Sequence, residues 1–102
     1  MPSPLIGEWE TTLLVSTSED SQLWTTRWIF NDDATCQFRQ TILSVLAGET
    51  TREQRECHWT ESSATAAIVF DDTGEILRVP FSFPPGERDR MIFEGFEYQR
   101  VG

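Results

Sequence analysis

Two short segments near the ends of the chain constrain its fold more than anything between them. Gly7-Glu8-Trp9 opens the first run of alternating apolar and polar residues, and Tyr98-Gln99-Arg100 closes the last. An up-and-down β-barrel places its first and last strands side by side, where an Arg can lie over the face of a Trp. The two segments therefore predict a closed barrel in which Trp9 and Arg100 are in contact.

The sequence between these segments alternates with a period of two, which is typical of strands that bury one face. Turn-forming residues interrupt the alternation at 31–34, 46–48, 71–74 and 84–86. We expect one domain spanning residues 1–102. The predicted fold class is all-β, an antiparallel up-and-down β-barrel of seven or eight short strands.

Two segments leave the strand count open. The last run, residues 91–101, contains Gly95, which we interpret as a bulge or bend in one strand. An eighth strand would arise if such a bulge broke a long strand in two. Residues 44–54 read as a hairpin, with a turn of helix as the alternative.

The charge of the chain excludes several classes of partner. The formal net charge is −9, from 17 Asp and Glu against 8 basic residues, all of them Arg. Phosphate backbones and anionic membrane surfaces repel such a protein, so we expect neither nucleic acid nor membrane as a partner. The first six residues lack the basic and apolar regions of a signal peptide, and the expected location is cytoplasmic.

If the chain turns near residues 46–47, residues whose numbers add up to 93 lie opposite each other on the two strands, and Cys36 and Cys57 are such a pair. That register would allow a disulfide in suitable geometry. In a cytoplasmic protein we expect two packed thiols instead, with a disulfide only under oxidising conditions.

Three segments resemble the lipocalin-like branch of the calycin superfamily. They are LIGEW at 5–9, WIFNDDAT at 28–35 and FEGFEYQR at 93–100. The resemblance implies an antiparallel barrel with an interior cavity for a small apolar ligand. It also implies that Gly7 lets the chain bend into the barrel, that Trp9 closes its base and that Arg100 packs across Trp9. The chain departs from the family in being short and in carrying Ala34 where such domains often have Gly.

Inward-facing aromatic side chains are the candidate ligand contacts on this reading. The predicted ligand-binding residues are Trp24, Trp28, Phe38, Gln40, Arg55, Trp59, Phe70 and Phe81. Ile68, Leu77 and Val79 belong to the same predicted inner surface.

Gln40, Glu53 and Arg55 are polar residues on the predicted inner face. Buried charges are costly unless they are paired, so three explanations stay open. The hairpin could extend past the barrel rim into water, the three residues could line a cavity mouth and orient a polar ligand group, or the predicted register could be wrong by one residue.

The chain offers no recognisable catalytic constellation. His58, the only histidine, lies between Cys57 and Trp59, and neighbours on a strand point to opposite faces. The acidic pairs, such as Asp71-Asp72, fall in predicted turns. We therefore expect no metal, no cofactor and no enzymatic activity. The two remaining hypotheses are a domain that binds a small apolar ligand, and an interaction or structural barrel with a filled core that works through a partner surface or as a homodimer.

Overall fold

The computed structural model describes residues 3–86 and 88–101, and these residues form an all-β structure. Eight antiparallel strands close into a barrel in chain order, which confirms the predicted fold class. The strands are β1 (Gly7–Ser16), β2 (Ser21–Phe30), β3 (Thr35–Ser44), β4 (Glu49–Ser62), β5 (Thr65–Phe70), β6 (Ile76–Ser82), β7 (Arg90–Phe93) and β8 (Phe96–Arg100).

The barrel closes between β1 and β8. Trp9 pairs with Arg100 and Glu10 with Gln99. The Arg100 guanidinium carbon lies 4.3 Å from the centre of the Trp9 ring, and its nitrogens donate to the backbone oxygens of Ile6 at 2.9 Å and Pro4 at 3.2 Å. Arg100 therefore fastens the chain before β1 to the last strand.

Gly7 begins β1 with a φ of 135°, a conformation that residues with a Cβ rarely adopt. The glycine therefore supplies a backbone conformation needed where the chain enters the barrel. Trp9, two residues later, is fully buried and donates its indole N–H to the Leu5 oxygen at 2.9 Å.

The interpretation of Gly95 as a bulge in one long strand is wrong. Glu94 and Gly95 have φ values of 56° and 81°, and Phe93 pairs directly with Phe96. Two successive left-handed residues make a two-residue hairpin of type I′, whose twist matches that of the flanking strands. Residues 91–101 therefore contain a hairpin, and the barrel has eight strands.

The register of the β3–β4 hairpin is the predicted one, with Cys36 opposite Cys57, Phe38 opposite Arg55 and Gln40 opposite Glu53. Its turn occupies residues 45–48, so the 44–54 segment is a hairpin. Ala34, in the preceding turn, has a φ of 70° and thus adopts the left-handed conformation that Gly adopts most easily.

The strands differ in length, and the long strands β1 and β4 are paired on one side over only part of their length. β4 pairs with β5 only from Cys57 onward, and β1 pairs with β8 only at Trp9 and Glu10. Among the described residues, 11–16 and 49–55 therefore have a strand neighbour on one side only. The four long strands continue as a sheet beyond the closed part of the barrel.

Aromatic side chains fill the closed part. Trp28 is at the centre of this packing, with ring centres of Phe38, Phe93 and Phe30 at 4.9, 5.7 and 5.8 Å. The fully or nearly fully buried residues are all apolar or weakly polar, namely Leu5, Trp9, Trp28, Phe30, Cys36, Cys57, Trp59, Ala66, Ile68, Phe70, Val79, Phe81, Met91, Phe93 and Tyr98.

Candidate ligand-binding site

A cavity of about 380 Å³ opens where the long strands extend past the closed part of the barrel. This volume lies in the range of pockets that hold small organic molecules. Its lining comes from β1, β2, β3, β8 and the β7–β8 turn, and consists of Thr11, Leu13, Val15, Trp24, Thr26, Trp28, Phe38, Gln40, Glu94, Phe96 and Tyr98.

The cavity follows from strand alternation and from unequal strand length. Thr11, Leu13 and Val15 are successive inward positions of β1, and they lie beyond the last pair that β1 makes with β8. The wall between the two strands therefore opens along this part of β1. Leu13 and Phe96 remain 43% and 47% exposed, so apolar surface at the mouth is in contact with water.

Trp28 forms the floor of the cavity. It lines the cavity and is only 2% exposed, since the aromatic core packs against it. The same indole thus separates the filled part of the barrel from the open part.

Few polar groups face the cavity. Gln40 donates from its side-chain amide to the Thr26 hydroxyl at 3.3 Å, and the Trp24 indole donates to the Gln22 side-chain oxygen at 3.1 Å. Glu94 is the one charged residue of the lining. Burial raises the pKa of Tyr98 to about 12, so its phenol is neutral at physiological pH.

The structure brings four of the eight predicted ligand-binding residues together around this cavity. They are Trp24, Trp28, Phe38 and Gln40, all on β2 and β3. Their shared direction follows from the period of two on each strand and from the pairing of Trp24 with Ile42 and Trp28 with Phe38.

The other four predicted residues lie elsewhere. Trp59 packs edge-on against Phe30 and donates its indole N–H to the Asn31 oxygen at 3.0 Å. Phe70 and Phe81 are buried in the filled part of the barrel. Arg55 lies over the Phe70 ring at 3.8 Å.

Arg55 is engaged by the β5–β6 turn and is not part of the cavity lining. Its guanidinium donates to both carboxylate oxygens of Asp72, at 3.2 and 2.9 Å. This contact holds the pKa of Asp72 below its ordinary value. The predicted register of these inward polar residues is therefore confirmed. Gln40 lines the cavity, whereas Glu53 is exposed to water on the extended part of the hairpin.

Sequence reasoning missed the contribution of β8 and its turn to the site. Glu94, Phe96 and Tyr98 line the cavity only because the chain reverses at Gly95. A Glu-Gly pair is a weaker hairpin signal than Asn-Gly or Asp-Gly, so the alternation of 91–101 read as one strand.

Cys36 and Cys57 are joined by a disulfide in the structure, with their Cα atoms 4.8 Å apart. This differs from the expectation of two packed thiols. The reason is the register, which places the two residues directly opposite each other, and both are about 1% exposed.

His58 lies on the outer surface, where its Nδ1 is 2.7 Å from the Asp71 carboxylate. Within residues 3–86 and 88–101, no three His, Cys, Asp or Glu side chains are grouped as a metal site would need. The same residues include no helix with the length and hydropathy needed to cross a bilayer.

Comparison of the chain with protein families, curated proteins and solved structures gives no match. The geometry of the cavity is therefore the basis for an assignment of function.

Proposed function

We propose that this protein is a non-enzymatic binding domain that holds one small, neutral, apolar molecule in the cavity of its barrel, and that it is a small lipocalin-like member of the calycin superfamily. The observation that carries the proposal is the cavity itself, whose volume of about 380 Å³ is lined mainly by apolar and aromatic side chains. The closed eight-stranded barrel and the contact between Trp9 and Arg100 support the family assignment.

The charges around the cavity disfavour an anionic ligand. Glu94 is in the lining, and the lining includes neither Lys nor Arg. Arg55, the basic residue that sequence reasoning placed there, donates to Asp72 instead. A carboxylate ligand would therefore approach a protein of net charge −9 with no cation in the cavity to receive it.

A cavity-filling substitution tests the proposal. We expect the neutral fluorophore N-phenyl-1-naphthylamine to bind the wild-type protein saturably, with one site per chain. Thr26→Phe places a ring in the cavity and should weaken this binding by at least about tenfold, since it occupies the space that the probe needs. Fluorescence titration measures both affinities.

Thr25→Phe is the matched control, because Thr25 is the neighbouring residue on β2 and alternation turns it to the outer face. It should leave the affinity unchanged. Thr11→Phe offers a second cavity-filling variant if Thr26→Phe does not fold. Equal binding by the wild type and both folded cavity variants would place the probe elsewhere, and absence of binding to the wild type would refute the proposed function.

A second candidate function is self-association through the free edge of β1. Residues 11–16, sequence TTLLVS, carry no charge and have no strand partner on the β8 side within the described part of the chain, while Leu14 is 63% exposed. An uncharged exposed edge is a ready site for pairing with another strand. This candidate predicts a dimer at micromolar concentration in sedimentation equilibrium, converted to monomer by Leu14→Lys. A monomeric wild type would exclude it.

A further inference from the structure

The hydrogen bonds of the four tryptophans single out one polar position at the cavity floor. The indole N–H groups of Trp9, Trp24 and Trp59 each donate to an oxygen, at 2.9, 3.1 and 3.0 Å. The N–H of Trp28 is buried and makes no hydrogen bond within the described part of the chain. Buried donors are nearly always paired in folded proteins, so this one calls for an explanation.

Tyr98 lies beside that N–H. The Trp28 indole is close enough to the Tyr98 hydroxyl to lower the pKa of the phenol against the larger effect of burial, but no hydrogen bond of ordinary geometry joins them. Tyr98 is only 3% exposed and lines the cavity. Its hydroxyl donates no hydrogen bond to any described residue, so its proton is available to a molecule in the cavity.

A phenol can donate one hydrogen bond and accept another at the same oxygen. A small movement of the Tyr98 ring would let its hydroxyl oxygen accept from Trp28 Nε1–H while the hydroxyl proton points to the ligand. Both polar groups would then be paired, and each bond would strengthen the other in this buried environment.

Resting on the proposed function, we propose that Tyr98 is the ligand-recognition residue of the cavity and that the ligand carries one neutral hydrogen-bond acceptor, such as a ketone or ester carbonyl, to which Tyr98 donates with the support of Trp28. The remainder of the ligand is apolar and contacts the aromatic lining. The carboxylate of Glu94 on the same lining disfavours an anionic acceptor.

Two probes of nearly equal shape test this assignment. 2-Acetylnaphthalene carries a carbonyl oxygen, and 2-ethylnaphthalene carries a CH₂ group at the same place. The difference in hydration between the two free probes is the same for every variant. The ratio of their dissociation constants is therefore the quantity to compare between variants. Tyr98→Phe removes only the hydroxyl and should weaken binding of the ketone by about fivefold. Binding of the ethyl compound should change by less than about twofold.

Thr25→Val is the matched control, because it removes a hydroxyl from the outer face of β2 while keeping the side-chain shape. It should leave the ratio unchanged. A second measurement uses the wild-type protein alone. Of its four indole N–H resonances, the one assigned to Trp28 should move most when the ketone is added, and move less with the ethyl compound.

The outcomes separate this inference from the proposed function. If both probes bind the wild type but Tyr98→Phe leaves their ratio unchanged, the role of Tyr98 is refuted and ligand binding stands. An equal response of the Trp28 resonance to both probes also counts against it. If neither probe binds the wild type, the proposed function fails and this inference fails with it.

Discussion

Arg100→Ala should lower the free energy of unfolding by about 3 kcal/mol, because it removes a cation–π contact and two charged hydrogen bonds at the barrel seam. The guanidinium lies over Trp9 and donates to the oxygens of Ile6 and Pro4. The side chain is 26% exposed, so water screens these contacts only in part. Urea denaturation followed by tryptophan fluorescence measures the loss.

The loss of stability should depend on the shape of the guanidinium and on its position in the barrel, and not on its charge alone. Arg100→Lys keeps the charge but replaces the flat, forked guanidinium, and should recover less than half of the lost stability. Arg52→Ala is the control, since Arg52 is exposed on the free part of β4 and should change the stability by less than about 0.5 kcal/mol. A loss below about 1 kcal/mol in Arg100→Ala would mean that this residue does not hold the seam.

Reduction of the Cys36–Cys57 disulfide should lower the free energy of unfolding by about 3 kcal/mol, because the bond restricts the unfolded chain over a loop of this length. The two residues are 21 apart in sequence, and both lie buried in the filled part of the barrel. Urea denaturation with and without dithiothreitol measures the difference.

A Cys36→Ala/Cys57→Ala variant supplies the control, since its stability should not respond to dithiothreitol. Neither cysteine lines the cavity, so reduction should leave the affinity for N-phenyl-1-naphthylamine unchanged while the barrel stays folded. Equal stability of the oxidised and reduced wild type would show that the disulfide adds no stability beyond that of the strand pairing itself.

Much of the fold could be predicted because its information is local or repeats along the chain. The alternation of strands such as 23–30 fixes which face is buried, and the turn before Cys57 fixes its pairing with Cys36. The contact of Trp9 with Arg100 is long-range, but the two residue types are distinctive enough to indicate that the first and last strands meet.

The site was predictable only in part, because its position depends on where strands stop pairing. The aromatic residues of β2 all point inward, yet nothing local distinguishes Trp24 and Trp28 in the cavity lining from Trp59 in the filled part. That distinction arises because β1 leaves β8 after Glu10. The sequence assigns Tyr98 only to the segment that closes the barrel. Its place in the cavity lining depends on the reversal of the chain at Gly95.

A crystal structure of the protein with 2-acetylnaphthalene tests the central claim most directly. Our account predicts one molecule of the probe in the cavity between Trp24 and Phe38, with its carbonyl oxygen within hydrogen-bond distance of the Tyr98 hydroxyl. A cavity filled by the protein's own side chains, or a probe that binds only on the outer surface of the barrel, would contradict it.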